Sequence, residues 1–286
     1  MNRPEAVAST IRIVRRPSVP TTPRARSTGG RLIYAIGDIH GCYEQFVALL
    51  EAIVADIASS VGDSAPLVIL CGDYIDRGAR SGDVMAALVW LERNAGVKTL
   101  LLKGNHEALL LDFLDHPAEG LRWLQRDGHW TLRSYGVALP DDLSTLVESD
   151  CRNLSYALTD RLPAAHLDLL KRLRIRAVYG DYLFVHAGLR PGVPIDKQTD
   201  EDCLWIREDF LDSKQRFEKI IVHGHSWTSA EPDITADRMG IDTGVYQTGV
   251  LTAVRLEGAT VEIFQARRDI QAGNAMQTVT SDGENC

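Results

Sequence analysis

The sequence has no apolar run approaching the roughly 20 residues that a membrane-spanning helix needs. The N-terminus also lacks the apolar core of a signal peptide, because Arg12, Arg15 and Arg16 interrupt each short apolar stretch. Both absences favour a soluble, cytoplasmic protein without a membrane partner. The five cysteines are scattered and form no CxxC pair, so we expect free thiols and no cysteine-bound zinc.

Basic residues are too few to balance the acidic ones: 31 Lys and Arg face 39 Asp and Glu, which gives a formal charge of −8. This charge argues against nucleic acid as a partner, since such binding depends on positive charge. An acidic protein that handles phosphate would need local positive charge from bound metal ions or a few well-placed arginines. The 286 residues, 45% of them apolar, suffice for one substantial core.

Composition divides the chain into a folded domain and two tails. Residues 1–30 are rich in Arg, Pro, Ser and Thr and have almost no acid, which predicts a disordered basic tail. Residues 31–270 carry the periodic patterns of a folded domain. Residues 271–286 are polar and predict a flexible C-terminal tail. Inside the domain, residues from about 114 to 161 fit no sheet and predict an inserted helical cap.

Short β-type runs alternate with longer helical patterns, which is typical of a largely parallel sheet with helices on its faces. The predicted strands are residues 32–36, 67–71, 99–103, 182–186 and 219–222. The predicted helices are residues 43–57, 83–93, 106–114 and 164–173. Near the end, residues 238–242, 250–256 and 261–265 predict consecutive strands of a second, mixed or antiparallel sheet.

Residues of metal-ligand type follow five predicted strands. Four strands end in glycine and continue with Asp38, Asp73, Asn105 or His225, and the fifth runs directly into His186. One Gly-Asp pair is usually a turn, and one strand-end His is usually structural. The joint occurrence indicates a shared pocket, because ligands bind beyond the carboxyl ends of parallel strands and glycine permits the sharp turn. The pocket would gather Asp38, His40, Asp73, Asn105, His186 and His225.

This set of carboxylate, amide and imidazole groups suits a hard or borderline metal such as Mn, Fe or Zn. Six ligands exceed what one ion needs beside water and substrate, so two divalent metal ions are expected. We take Mn2+ as the first candidate and Fe or Zn as alternatives. Asp73 is central in the chain order and is the natural bridging carboxylate.

Five motifs in this order resemble the calcineurin-like metallophosphoesterases of the phosphoprotein phosphatase type: GDIHG at 37–41, GDYIDRG at 72–78, GNHE at 104–107, HAG at 186–188 and GHS at 224–226. The group includes Ser/Thr protein phosphatases, bacterial and phage-like ones among them, and symmetrical diadenosine tetraphosphate hydrolases. The resemblance spans about residues 32–256. It implies an α/β fold, the four-layer metallophosphoesterase sandwich, in which two mixed β-sheets are flanked by helices.

The resemblance also implies roles for the metal ligands. Asp38 and His40 would bind the first metal, Asp73 would bridge, and the second metal would be completed by Asn105, His186 and His225. His225 is preferred to its neighbour His223, because it follows a glycine as the other ligands do, whereas His223 still belongs to the strand.

Catalytic and substrate-binding roles follow from the same resemblance. His106 would act as the general acid, and Asp76 would orient its imidazole. Arg77 and Asn105 would bind phosphate oxygens. A looser Trp-x-Arg match at residues 205–207 suggests Arg207 as the second phosphate-binding arginine.

The expected activity is that of a metal-dependent phosphomonoesterase, a protein serine/threonine phosphatase, in which the metal pair activates a hydroxide for in-line attack on phosphorus. The partner would be a phosphoprotein or a small phosphomonoester, and no oligomeric state follows from the sequence. One alternative is a symmetrical dinucleoside tetraphosphate hydrolase; these resemble the chain but carry Ala at the position of Asp76 and GNHD instead of GNHE. An alternative of another class is an inactive phosphoprotein-binding module, although no ligand or acid is missing here.

Overall fold

The computed structural model describes residues 10–17, 27–60 and 65–268. The predicted C-terminal tail, 271–286, lies outside these residues, as do residues 1–9 and 18–26 of the predicted N-terminal tail. Among the residues described, no helix combines the length and the apolar character that a membrane crossing requires.

Eleven strands are present in this part of the chain. They are β1 Ile11–Pro17, β2 Leu32–Ile36, β3 Leu67–Leu70, β4 Lys98–Leu101, β5 Arg176–Tyr179, β6 Tyr182–Val185, β7 Ile220–His223, β8 Asp233–Ile234, β9 Arg238–Gly240, β10 Val250–Glu257 and β11 Thr260–Arg268. They form a six-stranded sheet in the order β1-β11-β10-β2-β3-β4 and a five-stranded sheet in the order β5-β6-β7-β9-β8. Strands β2 to β4 and strands β6, β7 and β9 run parallel, and the other pairs are antiparallel.

The helices connect these strands. They are α1 Tyr43–Ser59, α2 Ser81–Asn94, α3 Asn105–Asp115, α4 Leu121–Trp123, α5 His129–Ser134, α6 Glu148–Thr159, α7 Ala164–Lys171, α8 Asp200–Trp205, α9 Glu208–Leu211 and α10 Val245–Thr248. A π-helical turn, Leu124–Gly128, joins α4 to α5, and short 3-10 turns lie at Pro117–Gly120, Leu143–Thr145 and Ile195–Lys197. The region predicted as a helical cap, residues 114–161, therefore contains α4 to α6.

The alternation of side chains along β2 shows how the layers form. Leu32, Tyr34 and Ile36 are buried in the cluster that packs against the helices α1 to α3, whereas Ile33 and Ala35 are buried between the two sheets. A third cluster packs the outer face of the second sheet against α8 and α9. Helices, sheet, sheet and helices thus form four layers, and the predicted sandwich is confirmed.

The expectation of disorder throughout residues 1–30 is wrong for Ile11–Pro17. This segment is strand β1, which pairs antiparallel with β11 at the edge of the first sheet. Arg15 places Nη1 2.5 Å from Asp56 Oδ1 and Nε 2.6 Å from Glu262 Oε2. The open backbone edge of β11 and these acidic partners order a segment whose composition alone indicated disorder.

The expectation that the last three strands share one sheet is also wrong. Strand β9 belongs to the second sheet, whereas β10 and β11 form a hairpin in the first. Helix α10 lies between β9 and β10 and is bounded by Gly244 at φ 60° and Gly249 at φ 71°. These left-handed glycines turn the chain from one sheet to the other, which a series of strand patterns does not reveal.

Candidate metal centre and active site

Loops after β2, β3, β4, β6 and β7 bring the six predicted metal ligands together. A network of short contacts, all between buried residues, connects them: His40 and His186 to Asp73, His186 and His225 to Asn105, and the backbone N–H of His225 to Asp38. Residues up to 187 positions apart in sequence meet here, because the parallel strands of both sheets end at the same side.

The backbone at this site adopts unusual conformations. In the part of the chain that the structure describes, the non-glycine residues with positive φ are His40, Asp73, Asp76, Arg77 and His225, at 43° to 70°. Every one of them was singled out from the sequence. Such conformations are unfavourable for L-residues and persist where the surroundings enforce them, as at functional sites.

Two glycines make room for the carboxylates. A Cβ on Gly104 would lie 2.1 Å from Asp73 Oδ1, and a Cβ on Gly224 would lie 1.9 Å from Asp38 Oδ1. Any side chain at either position would therefore displace a predicted ligand. This close approach explains why glycine precedes the ligand residues in the sequence pattern.

Asp73 faces histidines on both sides. Its Oδ2 lies 3.5 Å from His40 Nε2, and its Oδ1 lies 3.4 Å from His186 Nε2. Two compact groups suited to a metal ion share this residue: Asp73 with His40 and His106, and Asp73 with His186 and His225. One carboxylate oxygen directed to each group is the arrangement that a bridging ligand needs.

The histidine tautomers leave lone pairs directed into the pocket. His40 Nδ1 donates to the carbonyl of Ile75, and His186 Nδ1 donates to the carbonyl of Cys71, both at 2.9 Å. Because a carbonyl only accepts, each Nδ1 carries a proton, and in a neutral ring Nε2 is then unprotonated. Burial lowers the pKa of His40, His186 and His225, so these imidazoles are neutral and able to bind a cation.

Unsatisfied polar atoms show that the residues fit cations. Asp38 Oδ1 and His225 Nε2 are buried without a hydrogen-bond partner, and Asn105 Oδ1 faces His186 Nε2 at 2.8 Å and His225 Nδ1 at 3.0 Å. Burial and the neighbouring carboxylates of Asp242 and Asp73 raise the pKa of Asp38. Acceptor atoms and buried carboxylates that converge on one pocket are the chemistry of a cation site.

His106 and Asp76 form a buried pair beside the ligands. His106 Nδ1 donates to Asp76 Oδ2 at 2.6 Å, while His106 Nε2 lies 3.9 Å from Asp73 Oδ2. Burial alone would lower the pKa of His106, but the negative charges of Asp73 and Asp76 outweigh it and raise the pKa. The imidazole can therefore hold a proton on the side that faces the pocket.

The two predicted phosphate-binding arginines occupy different positions. Arg77 is largely buried, with Nη1 3.0 Å from His40 Nε2, Nε 3.2 Å from Asp127 Oδ1 and its guanidinium over the ring of Tyr246. Arg207 is exposed in the connection between α8 and α9. Burial is the main cause of the lowered pKa of His225, and the nearby charge of Arg207 lowers it further. Arg77 therefore lies among the predicted ligands, whereas Arg207 lies on the surface in the neighbourhood of His225.

His223, which the sequence analysis did not choose as a ligand, belongs to neither of the two groups around Asp73. Its Nδ1 contacts the carbonyl of Gly224 at 3.0 Å, and its ring packs edge-on against Phe210. The Nε2 of His223 is also buried without a hydrogen-bond partner, but of the two residues it is His225 that shares a ligand group with Asp73 and His186, which supports the choice of His225.

Several residues at the site were missed in the sequence. Asp242 lies beside Asp38, and burial raises its pKa to about 6. Asp242 lies two residues after the end of β9, so the search for acidic residues after strand ends could have identified it. Trp123 and Thr131, which donate to Asp76, come from the cap region and carry no local signal.

Comparison with known proteins identifies the family. The family model of the calcineurin-like phosphoesterases matches residues 31–243, well over half of the chain. A symmetrical bis(5′-nucleosyl)-tetraphosphatase of Nitrosospira multiformis is 26% identical over 80% of this chain and 94% of its own length. Serine/threonine-protein phosphatase 2 of Salmonella typhimurium is 25% identical over 79% of this chain and 94% of its own.

Solved structures show the same fold. A cold-active protein tyrosine phosphatase superposes with a TM-score of 0.53 at 17% identity, over 84% of this chain and 80% of that one. Members of the matched family use a dinuclear divalent metal centre. The two candidate ligand groups that share Asp73 would give each metal ion of such a centre its own place. The resemblance seen in the motifs is thus confirmed: the chain belongs to the calcineurin-like phosphoesterase family and is a metallophosphoesterase.

Proposed function

We propose that this chain is a phosphomonoesterase that acts as a protein serine/threonine phosphatase. The single observation that carries the proposal is the 2.6 Å contact between Asp76 Oδ2 and His106 Nδ1. A serine or threonine alkoxide is a poor leaving group, so its release requires a proton donor in the transition state. An imidazole that a buried carboxylate holds in its protonated form meets that requirement.

The metal ions would be bound in two places. Asp38, His40 and Asp73 would hold the first, and Asp73 would share the second with Asn105, His186 and His225. Mn2+ is the first candidate, with Fe or Zn as alternatives. When bound, two such cations lower the pKa of a water molecule and neutralise charge on the phosphoryl group.

The protein's own groups would do the rest of the chemistry. Arg77 and Arg207 bind phosphoryl oxygens through their planar forks, and the Asn105 amide contributes a further contact. Water oxygen forms the new bond to phosphorus while the bond to the serine oxygen breaks. His106 transfers its Nε2 proton to that oxygen and later recovers a proton from solvent, to which the attacking water has lost one. The products are the free hydroxyl and inorganic phosphate, and no phosphoenzyme forms.

A second candidate is a symmetrical dinucleoside tetraphosphate hydrolase. The similarity to the Nitrosospira multiformis tetraphosphatase over most of both chains favours it. In that reaction the leaving group is a nucleoside diphosphate, whose terminal oxygen is only weakly basic. Such a departure has little need for an acid, so the buried Asp76–His106 pair would have no evident purpose there.

A substrate panel with His106→Asn distinguishes the two functions. The full-length protein is stripped with chelator, reloaded with Mn2+ and assayed on a phosphoserine peptide, a phosphotyrosine peptide, diadenosine tetraphosphate and p-nitrophenyl phosphate. We expect the substitution to lower turnover of the phosphoserine peptide by about 10²–10⁴-fold but to affect p-nitrophenyl phosphate much less, since p-nitrophenolate leaves without a proton. His116→Asn, which changes an exposed histidine at the end of α3, is the matched control.

Three results would contradict the proposal. Faster hydrolysis of diadenosine tetraphosphate than of either phosphopeptide, unaffected by the substitution at His106, would establish the second candidate. Equal losses on all substrates would remove His106 from the acid role. Binding of phosphopeptide without turnover in every metal condition would indicate a binding module.

A further inference from the structure

The carboxylate of Asp76 has more donors than its pairing with His106 requires. Asp76 is fully buried, and its Oδ2 accepts both from His106 Nδ1 at 2.6 Å and from Trp123 Nε1 at 2.7 Å. Its Oδ1 accepts from Thr131 Oγ1. The Thr131 hydroxyl also accepts from the backbone N–H of Asp76 at 3.0 Å. Both carboxylate oxygens and the backbone of Asp76 are thus held by one segment of the cap region.

We call the helical segment 121–134 the cap helix; it comprises α4, the π-helical turn Leu124–Gly128 and α5. Residues spaced by four lie near one another on a helix, and Trp123, Asp127 and Thr131 have that spacing. Trp123 and Thr131 contact Asp76, and Asp127 between them accepts from the neighbouring Arg77 Nε at 3.2 Å. Single π-helical turns occur often at functional sites, where they redirect side chains.

Gly128 makes the position of Trp123 possible. A Cβ on Gly128 would lie 2.4 Å from the ring of Trp123, so glycine leaves the space in which the indole lies. Trp123 also packs against Phe113 of α3, the helix that begins at Asn105 and carries His106. The indole therefore connects the cap helix both to Asp76 and to the helix that carries His106.

We propose that Trp123 and Thr131 are positioning residues that fix the Asp76 carboxylate in the orientation that aims His106 at the leaving group. The inference rests on the proposed function, which makes His106 the acid. A carboxylate with His106 as its sole donor could rotate about its side-chain bonds and take the imidazole with it. Donors on both oxygens oppose this rotation, because a buried carboxylate oxygen that turns away from its donor loses a hydrogen bond that water cannot replace.

The test compares leaving groups in Thr131→Val, which removes one donor and keeps the shape of the side chain, and in Trp123→Phe, which removes one donor together with part of the buried ring. If Asp76 is mispositioned, kcat should fall about 10-fold or more on a phosphoserine peptide and only slightly on p-nitrophenyl phosphate, because a partial loss of acid catalysis lies below the 10²–10⁴-fold of a complete one. Thr131→Ser restores the hydroxyl and should restore the rate. Trp90→Phe, at an exposed tryptophan on α2, is the control.

A double-mutant cycle separates positioning from general damage. In an Asp76→Asn background, Trp123→Phe should cause no further loss, because residues that act as a unit are not additive. Metal content and melting temperature are measured for each variant, and if Trp123→Phe does not fold, the Thr131 pair carries the test. Equal losses on both substrates, additive losses in the cycle, or failure of Thr131→Ser to restore the rate would overturn the inference.

The outcomes also distinguish this inference from the proposed function. If His106→Asn discriminates between leaving groups but Trp123→Phe and Thr131→Val do not, the acid role stands and the positioning role is wrong. If His106→Asn itself affects both substrates equally, the proposed function is wrong.

Discussion

Glu107 accepts a hydrogen bond at 2.9 Å from the backbone N–H of Asp73. The same carboxylate accepts from the N–H of Gly104 at 2.9 Å and of Tyr74 at 2.7 Å. It therefore joins the loop after β3, which carries the predicted bridging ligand, to the loop after β4, which carries Asn105. The acidic residue of the GNHE motif is a buried connector between two ligand loops.

Glu107→Gln should destabilise the protein and weaken metal binding. Glutamine has one acceptor oxygen, and its NH2 group would face backbone N–H donors that now have a carboxylate partner. A buried donor that loses its acceptor costs about 1–3 kcal/mol, so we expect a loss in the free energy of unfolding of that size. Urea denaturation and metal analysis provide the measurements, with the exposed Glu51→Gln on α1 as control. Unchanged stability would contradict the connector role.

Removal of metal should affect wild type and Asp73→Asn differently. A ligand that binds only the folded state adds about 2.7 kcal/mol of stability at 100 times its Kd. Mn2+ should therefore raise the melting temperature of the stripped wild type. Because Asp73 faces both candidate groups, Asp73→Asn should bind fewer than two ions and show a much smaller rise. Asp212→Asn, at an exposed position after α9, is the control, and full stoichiometry in Asp73→Asn would disprove the bridge.

Arg77→Lys should impair turnover although the charge is conserved. The guanidinium donates through Nε to Asp127, lies over Tyr246 and still directs a second nitrogen toward the ligand residues, which a single ammonium cannot reproduce. We expect kcat/KM on p-nitrophenyl phosphate to fall at least about 10-fold, or about 1.4 kcal/mol. The exposed Arg122→Lys on α4 should behave as wild type. Equal kinetics for Arg77→Lys and wild type would show that turnover does not depend on the planar guanidinium.

Asp56 should make stability sensitive to acid. Burial raises the pKa of Asp56, but hydrogen bonds and charges from Tyr34, Arg15 and Arg255 outweigh this and lower it below its ordinary value. A lowered folded-state pKa contributes stability above the unfolded value of 3.8, and this contribution is lost as pH falls through the folded value.

Asp56→Asn should therefore be destabilised by about 1.5–3 kcal/mol at pH 7, and its difference from wild type should shrink below pH 3.8. Unfolding by urea at a series of pH values measures this difference. Asp168→Asn, exposed on α7, provides the comparison. A difference that stays constant across the acid range would show that the ionised carboxylate contributes nothing.

Local patterns predicted those parts of the fold and site that depend on local chemistry. Strands such as β2 and β3 appear as apolar runs, because a strand buried on both faces must be apolar throughout. The glycines before Asp38 and Asp73 are also recognisable in the sequence. A sharp turn and a close backbone approach depend on the types of a few consecutive residues. The four-layer arrangement, by contrast, came from resemblance to a family and not from periodicity.

What the sequence did not reveal depends on contacts between distant segments. Strand β1 forms because β11 offers an open edge 247 positions away from Arg15, and composition records no such partner. The division of β9 and β10 between sheets follows from the turns around α10. Asp76 meets Trp123 and Thr131 across 47 and 55 positions.

The sequence by itself thus determined which residues we propose for the chemistry: a series of strand ends, each with a ligand-type side chain, together with the motifs around His106 and Arg77. Only the tertiary structure decided which oxygen of Asp73 faces which histidine and what holds Asp76 in place. The physical reason is that a side chain's type is a local property, whereas its orientation results from packing and hydrogen bonds supplied by segments far away in the chain.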